Sequence, residues 1–391
     1  MAPRVRRHVD AGPPGRGRRR PGRRPGDAHR PARAAVEPGP VSPSAEDRAA
    51  RTTTSGLGQV PPAIDPAPPT PALDAAPAAP ALGALPREDV EVLLPPPTPV
   101  TAGSTAGVVV RAHLRRQTAA LLEADSGVPD DRDDAVHAAR VAARRLRSGL
   151  RIYGDLLDDD SSARLRPELS AYAGALAPAR DLEVFIAALE ADTEDASGYG
   201  EVLLPWLRSR RVSAVATAAE TLRSPRADAL RLALVELARA PRFTAAAGRR
   251  AARVLAPRLR HADHRAERLL DPLRPGDDAA AWHSARIAAK RARYAAEVCA
   301  PALGAECREL AVLWSTLTEP LGAAQDAAIQ RALVLDRVDD TTSPLSAGEA
   351  FACGVFVAQT RSRETEAHRT ARHLWHESRA RHRDLRRAVG G

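Results

Sequence analysis

The chain has 391 residues and a formal net charge of +9, from 58 basic and 49 acidic residues. Residues 1–35 alone carry 11 Arg and 2 Asp, which accounts for the whole excess, so the net charge is no argument for nucleic-acid binding by a folded part. No run of 18 uncharged apolar residues exists and the Arg-rich start lacks the apolar stretch of a secretory signal, which argues against a membrane-spanning helix and a leader.

Taken from its start, the chain first gives a tail. Residues 1–100 hold 22 of the 34 Pro and none of the 12 aromatic residues. Such a segment buries too little apolar surface to offset chain entropy, and residues 1–100 are expected to be disordered. Beyond residue 100 the balance is 44 basic against 39 acidic residues. Those ~290 residues suffice for one large domain or two small ones.

Helical spacing begins in VVVRAHLRRQTAALLEAD at 108–125. Stretches rich in Ala, Leu and Arg then run between breaks at 126–131, 158–162, 192–200, 223–226, 240–242, 272–278, 301–304 and 339–346. No alternating β-branched runs with hairpin turns occur, and the expected fold is all-α, about ten helices packed as bundles.

A repeat runs through this part. HAARVAARRLR at 137–147 matches HSARIAAKRAR at 283–293 in seven of eleven positions, at an offset of 146. LAPARDLEV at 176–184 then aligns with LGAAQDAAI at 321–329 at an offset of 145, which sets Asp181 opposite Asp326. Two ordered matches predict two related helical halves, about 101–240 and 241–391.

On a helix, His137, Arg140, Arg144, Arg147 and Arg151 fall within roughly 80° of arc and span about 21 Å. Arg145 lies at the edge of this ladder, and Ala139, Ala142, Leu146, Leu150, Tyr153 and Leu157 gather opposite it. The second copy gives His283, Arg286, Lys290 and Arg293, with Arg291 at the edge, Tyr294 adjoining and Glu297 ending the ladder where the first copy has Arg151. Stacked like charges cost a helix a few tenths of a kcal/mol per pair. Two matched ladders therefore point to an anion. Arg forks suit phosphate oxygens, and regular spacing suits an extended chain of phosphates. Nucleic acid fits less well: single-strand binders add aromatic platforms, and a major-groove helix wants Asn or Gln among its Arg.

Other chemistry finds little support. Lys290, the single Lys against 57 Arg, follows Ala289, so no Walker A loop exists; GxGxxG, GxSxG and any Glu-x-x-His are absent too. His373 and His376, or His261 and His264, share a helix face without a carboxylate set, and no metal or other cofactor is expected. Cys299, Cys307 and Cys353 are odd in number and form no CxxC, which favours reduced thiols in a cytosol.

The paired motifs HAARVAARRLRSGL and HSARIAAKRARYAAE, the RD and QD segments and the opening TAGSTAGVVVRAHLRRQ together resemble the CHAD family, the histidine-containing α-helical domain, over residues 101–391. The resemblance implies two similar bundles related by a pseudo-twofold axis, with basic helices lining a shared positive surface or pore. It also implies binding of inorganic polyphosphate without catalysis, and association with polyphosphate granules. Carried over by motif, the contacts are His137, Arg140, Arg144, Arg145, Arg147, Arg151 and Arg180 with His283, Arg286, Lys290, Arg291, Arg293 and Tyr294. Asp181 and Asp326 become buttresses that orient ladder side chains. The family's Leu-Gly before Arg-Asp is Leu176-Ala177 here, its Leu-Gln is Leu317-Thr318, and Pro320 follows, where a helix would change geometry. No ExExK pattern of the often-fused CYTH domain occurs, so a stand-alone module is expected. A nucleic-acid binder using the ladders and the Arg-rich tail, a protein-interaction scaffold, and a polyphosphate- or phosphate-ester-processing enzyme remain as alternatives.

Overall fold

The helix-forming stretches of the sequence become helices one after another. The computed structural model describes residues 87–158, 160–192 and 198–389. The tail expected to be disordered lies outside the described residues as far as residue 86. Eleven α-helices and two short 3-10 turns occupy the described residues, with two isolated bridges and no strand. In order they are α1 (Arg87–Leu93), α2 (Ala106–Asp125), α3 (Ala135–Tyr153), α4 (Ser161–Ala175), α5 (Ala177–Glu190), α6 (Tyr199–Leu222), α7 (Pro225–Arg239), α8 (Ala251–Leu270), α9 (Ala279–Leu303), α10 (Ala305–Val338) and α11 (Ala347–Ala388). The fold is all-α, as the composition implied. None of the described helices is long and apolar enough to cross a membrane.

Local chemistry sets the starts. Thr105 caps α2 by accepting from the Val108 N–H, Ser224 caps α7 ahead of Pro225, and Ser346 forms a capping box with Glu349 at α11. Gly304, at φ +91°, makes the sharp turn between α9 and α10. Each break read from the sequence falls at or beside a junction between helices. One junction lacked such a break. Between α4 and α5, Leu176 keeps near-helical dihedrals (φ −83°, ψ −10°), but Pro178 has no N–H to continue the ladder. By contrast α10 runs unbroken through Pro320.

The apolar stripe of α3 is buried as its spacing required: Ala139, Leu146 and Tyr153 are at most 1% exposed. It joins a large core to which α2, α4, α7, α8 and α9 contribute. α1 adds to this core through Val90, and Leu94 just beyond it is buried there too. A second core gathers α5, α6, α10 and α11 around Phe356, whose ring stacks on Phe185 at 5.2 Å and meets Tyr199 edge-on at 5.1 Å. The three cysteines are buried and free.

The basic helices α3 and α9 pack against each other. The buried Tyr153 hydroxyl donates to the Ala295 carbonyl of α9 at 3.2 Å and lies 3.2 Å from the Cys299 sulfur. This contact joins the buried sides of the two helices, and their cationic residues border a common space with α5 and α10.

Candidate anion-binding site

That space is a cavity of about 280 Å³. The first ladder lines it with His137, Arg140, Arg144 and Arg147, the second with His283, Arg286, Lys290 and Arg291. Arg180 and Asp181 enter from α5 and Asp326 from α10, and Tyr294 is the aromatic residue of the lining. Seven Arg and Lys side chains thus share the walls with two carboxylates. Three residues expected at the site lie elsewhere. Arg151 is exposed at the end of α3, and Arg145 and Arg293 turn to Glu297.

The first ladder is partly pinned by the protein. Arg140 reaches Asp181 at 3.4 Å and the Leu176 carbonyl at 3.3 Å. The Leu176 carbonyl, which also accepts from the Arg180 N–H, thus holds a ladder cation. Arg147 donates to the Ser170 hydroxyl at 2.6 Å, and Arg180 pairs with Glu183 at 2.6 Å. On the second ladder His283 Nδ1 lies 2.8 Å from the Gln325 amide oxygen. The Nε of Arg144 and of Arg286 are buried without a hydrogen-bond partner, a costly state that an entering oxyanion would relieve.

Burial and crowding set the electrostatics. Desolvation, reinforced by Arg286 and Arg144, pushes the Lys290 ammonium down from 10.5 to about 6. Desolvation brings the Arg140 guanidinium down to about 10 despite Asp181, and lowers Arg286 as well. His137 is lowered by burial and then by Arg180 and Arg144. Burial raises both Asp181 and Asp326 against the pull of the surrounding cations. Burial weakens the hydration of these charges, and the lining side chains are mostly basic, so an anion gains by entering.

Ser148, Ser170, Glu183 and Gln325 belong to this environment but were not singled out in the sequence. Gln325 carried a signal, since it stands beside Asp326 in the second RD/QD segment.

The family model described as the CHAD domain matches residues 112–335, more than half of the chain. The chain belongs to the CHAD family. The resemblance read from the paired basic motifs is thereby borne out, and this CHAD domain falls in a family associated with polyphosphate binding. Among solved structures, PptA from Streptomyces chartreusis is 24% identical, with a TM-score of 0.58 over 70% of this chain and 100% of that one. The crystal structure of the CHAD domain from the plant Ricinus communis is also 24% identical, with a TM-score of 0.59 over 71% of this chain and 94% of that one. At that identity the likeness speaks for the CHAD fold alone. No curated protein matches the chain.

Proposed function

We propose that the chain binds inorganic polyphosphate, without catalysis, through the cationic faces of α3 and α9 acting as one site. The observation that carries this reading is the shared cavity, in which seven Arg and Lys side chains outnumber two carboxylates. A phosphate chain supplies closely spaced oxyanions along a flexible backbone, which matches cations contributed at successive turns by two helices. The site residues of this reading are the lining cations, with Asp181 and Asp326 as the acids that orient them.

The two halves, about 101–240 and 241–391, are part of the same reading. Shifting α2 by the 145-residue offset of the second sequence match gives 251–270, the bounds of α8. The same shift carries α4 and α5 onto α10, and α6 and α7 onto α11. These correspondences support a pseudo-twofold arrangement with α3 and α9 at its centre.

Nucleic acid is the second reading. It is disfavoured because Tyr294, 8% exposed, is the cavity's aromatic surface for a base. The experiment is a direct comparison of long-chain polyphosphate with single- and double-stranded DNA on the full chain. Polyphosphate is expected to bind tighter than either DNA at equal salt. The double variant Arg144→Glu, Lys290→Glu is expected to lose about a hundredfold or more in polyphosphate affinity. A folded double variant that binds like the wild type would overturn the assignment.

A further inference from the structure

Two ladder arginines are missing from the cavity because they meet on one acid. Arg145 comes from α3 and Arg293 from α9, and Glu297 lies between them. Arg145 Nη2 donates to Glu297 Oε2 at 3.0 Å, and Arg293 Nε donates to Glu297 Oε1 at 2.8 Å. All three side chains are about a third open to solvent, at 31%, 29% and 30%. Two guanidinium groups share one carboxylate, so a positive charge is left over. Arg145 also has its Nε buried without a hydrogen-bond partner, a donor that the single carboxylate leaves unmet. The cluster adjoins the cavity through Tyr294, which lines the cavity while the Arg145 guanidinium lies 5.7 Å from its ring centre.

We propose that Arg145 and Arg293 form a second phosphate station next to the main cavity, and that Glu297 occupies it as a built-in stand-in anion until a sufficiently long phosphate chain displaces it. The proposal rests on the polyphosphate reading and adds a residue that selects for chain length. A carboxylate and a phosphoryl group offer the same pair of oxygens to an arginine fork. A phosphate chain offers such oxygens on every successive unit, so it can satisfy both forks and the unmet Nε together. A short phosphate filling the cavity has no unit left over to evict Glu297. A chain that extends past Tyr294 does. Glu297 therefore penalises extended ligands at this end and leaves short ones untouched. On the first ladder the equivalent position holds Arg151, which imposes no such penalty.

The test uses Glu297→Gln in the full chain, a substitution that keeps shape and removes the charge. Affinities for tripolyphosphate and for long-chain polyphosphate are measured at one salt concentration, with thermal melting to establish folding. Long-chain affinity is expected to rise about fivefold, the scale of one partly exposed charge contact, while tripolyphosphate affinity stays unchanged. Adding Arg145→Ala to Glu297→Gln is expected to remove the gain. An equal gain for both ligands, or no gain for the long chain, overturns the proposal while leaving the cavity's role intact. Wild-type chain that binds neither ligand overturns both.

Discussion

On the correspondence proposed above, the helices from α2 to α7 and those from α8 to α11 are built in different ways. In the first region the stretch over α4 and α5 is interrupted at Leu176, and α6 and α7 are separate helices. In the second region α10 runs 34 residues and α11 runs 42 without a break. Beside the interruption, the Leu176 carbonyl and Asp181 together hold Arg140. Arg286, its counterpart on α9, keeps its Nε buried and unpartnered beside the uninterrupted α10. His137 faces the cation Arg180, whereas His283 meets the amide of Gln325. Arg144 is matched by Lys290, whose ammonium burial pushes down to about 6. Arg140 and Arg147 of the first region are held by hydrogen bonds, while Arg144 and Arg286, one from each region, keep an unmet Nε for an arriving anion.

That difference is open to attack by substitution. The largest effect in the free binding site is expected from Arg144→Ala, which at pH 8 should weaken tripolyphosphate binding by about tenfold. Lys290→Ala should cost much less at that pH, because the amine is already neutral, and should approach the cost of Arg144→Ala near pH 5.5. The sign follows from the depressed value: above pH 6 a bound anion must draw a proton onto Lys290, so the wild type loses affinity relative to Lys290→Arg as pH rises from about 6 to 8. The groups acting on Lys290 are Arg286, Arg144 and Arg293, which lower it, and Asp326, which raises it. Lys290→Arg should keep only the pH dependence of the ligand itself above pH 6.5. Calorimetry in buffers of different ionisation heat reads the net proton exchange, and equal exchange by the wild type and Lys290→Arg would remove the distinction between the two ladders.

A smaller effect is expected at the contact that ties the regions together. Tyr153→Phe removes the hydroxyl that donates to Ala295 and lies against Cys299. It should lower stability by about 1 kcal/mol and the melting temperature by about 2 °C. Polyphosphate affinity should barely change, since Tyr153 is buried on the side of α3 away from the cavity. A loss of affinity larger than the loss of stability would mean that this contact sets the site's geometry.

Much of this arrangement was legible in the chain itself. The spacing of His137, Arg140, Arg144 and Arg147 against Ala139, Leu146 and Tyr153 gave both faces of α3, because a helix converts sequence period directly into direction. The family followed from the pairing of that motif with the one at His283. The hitch at Leu176 was harder to see, since Pro178 at the first turn of a helix is as compatible with a continuing stretch as with a new start. Partners across helices were out of reach of any periodicity. Glu297 was visible as the end of the second ladder, but its clasp by Arg145, 152 residues away, exists only after α3 packs on α9. The low value of Lys290 is likewise a property of burial among other cations, which the sequence does not encode locally.

Two ladders that make one site hold one ligand between them, and the stoichiometry of binding reads this out. Tripolyphosphate is titrated calorimetrically into wild-type chain, Arg144→Glu and Lys290→Glu at pH 6. A single shared site predicts one tripolyphosphate per chain in the wild type, and a weakening of all binding by either substitution. Two ligands per chain in the wild type would contradict the claim. So would a single substitution that removes half of the binding capacity and leaves the other half at wild-type affinity.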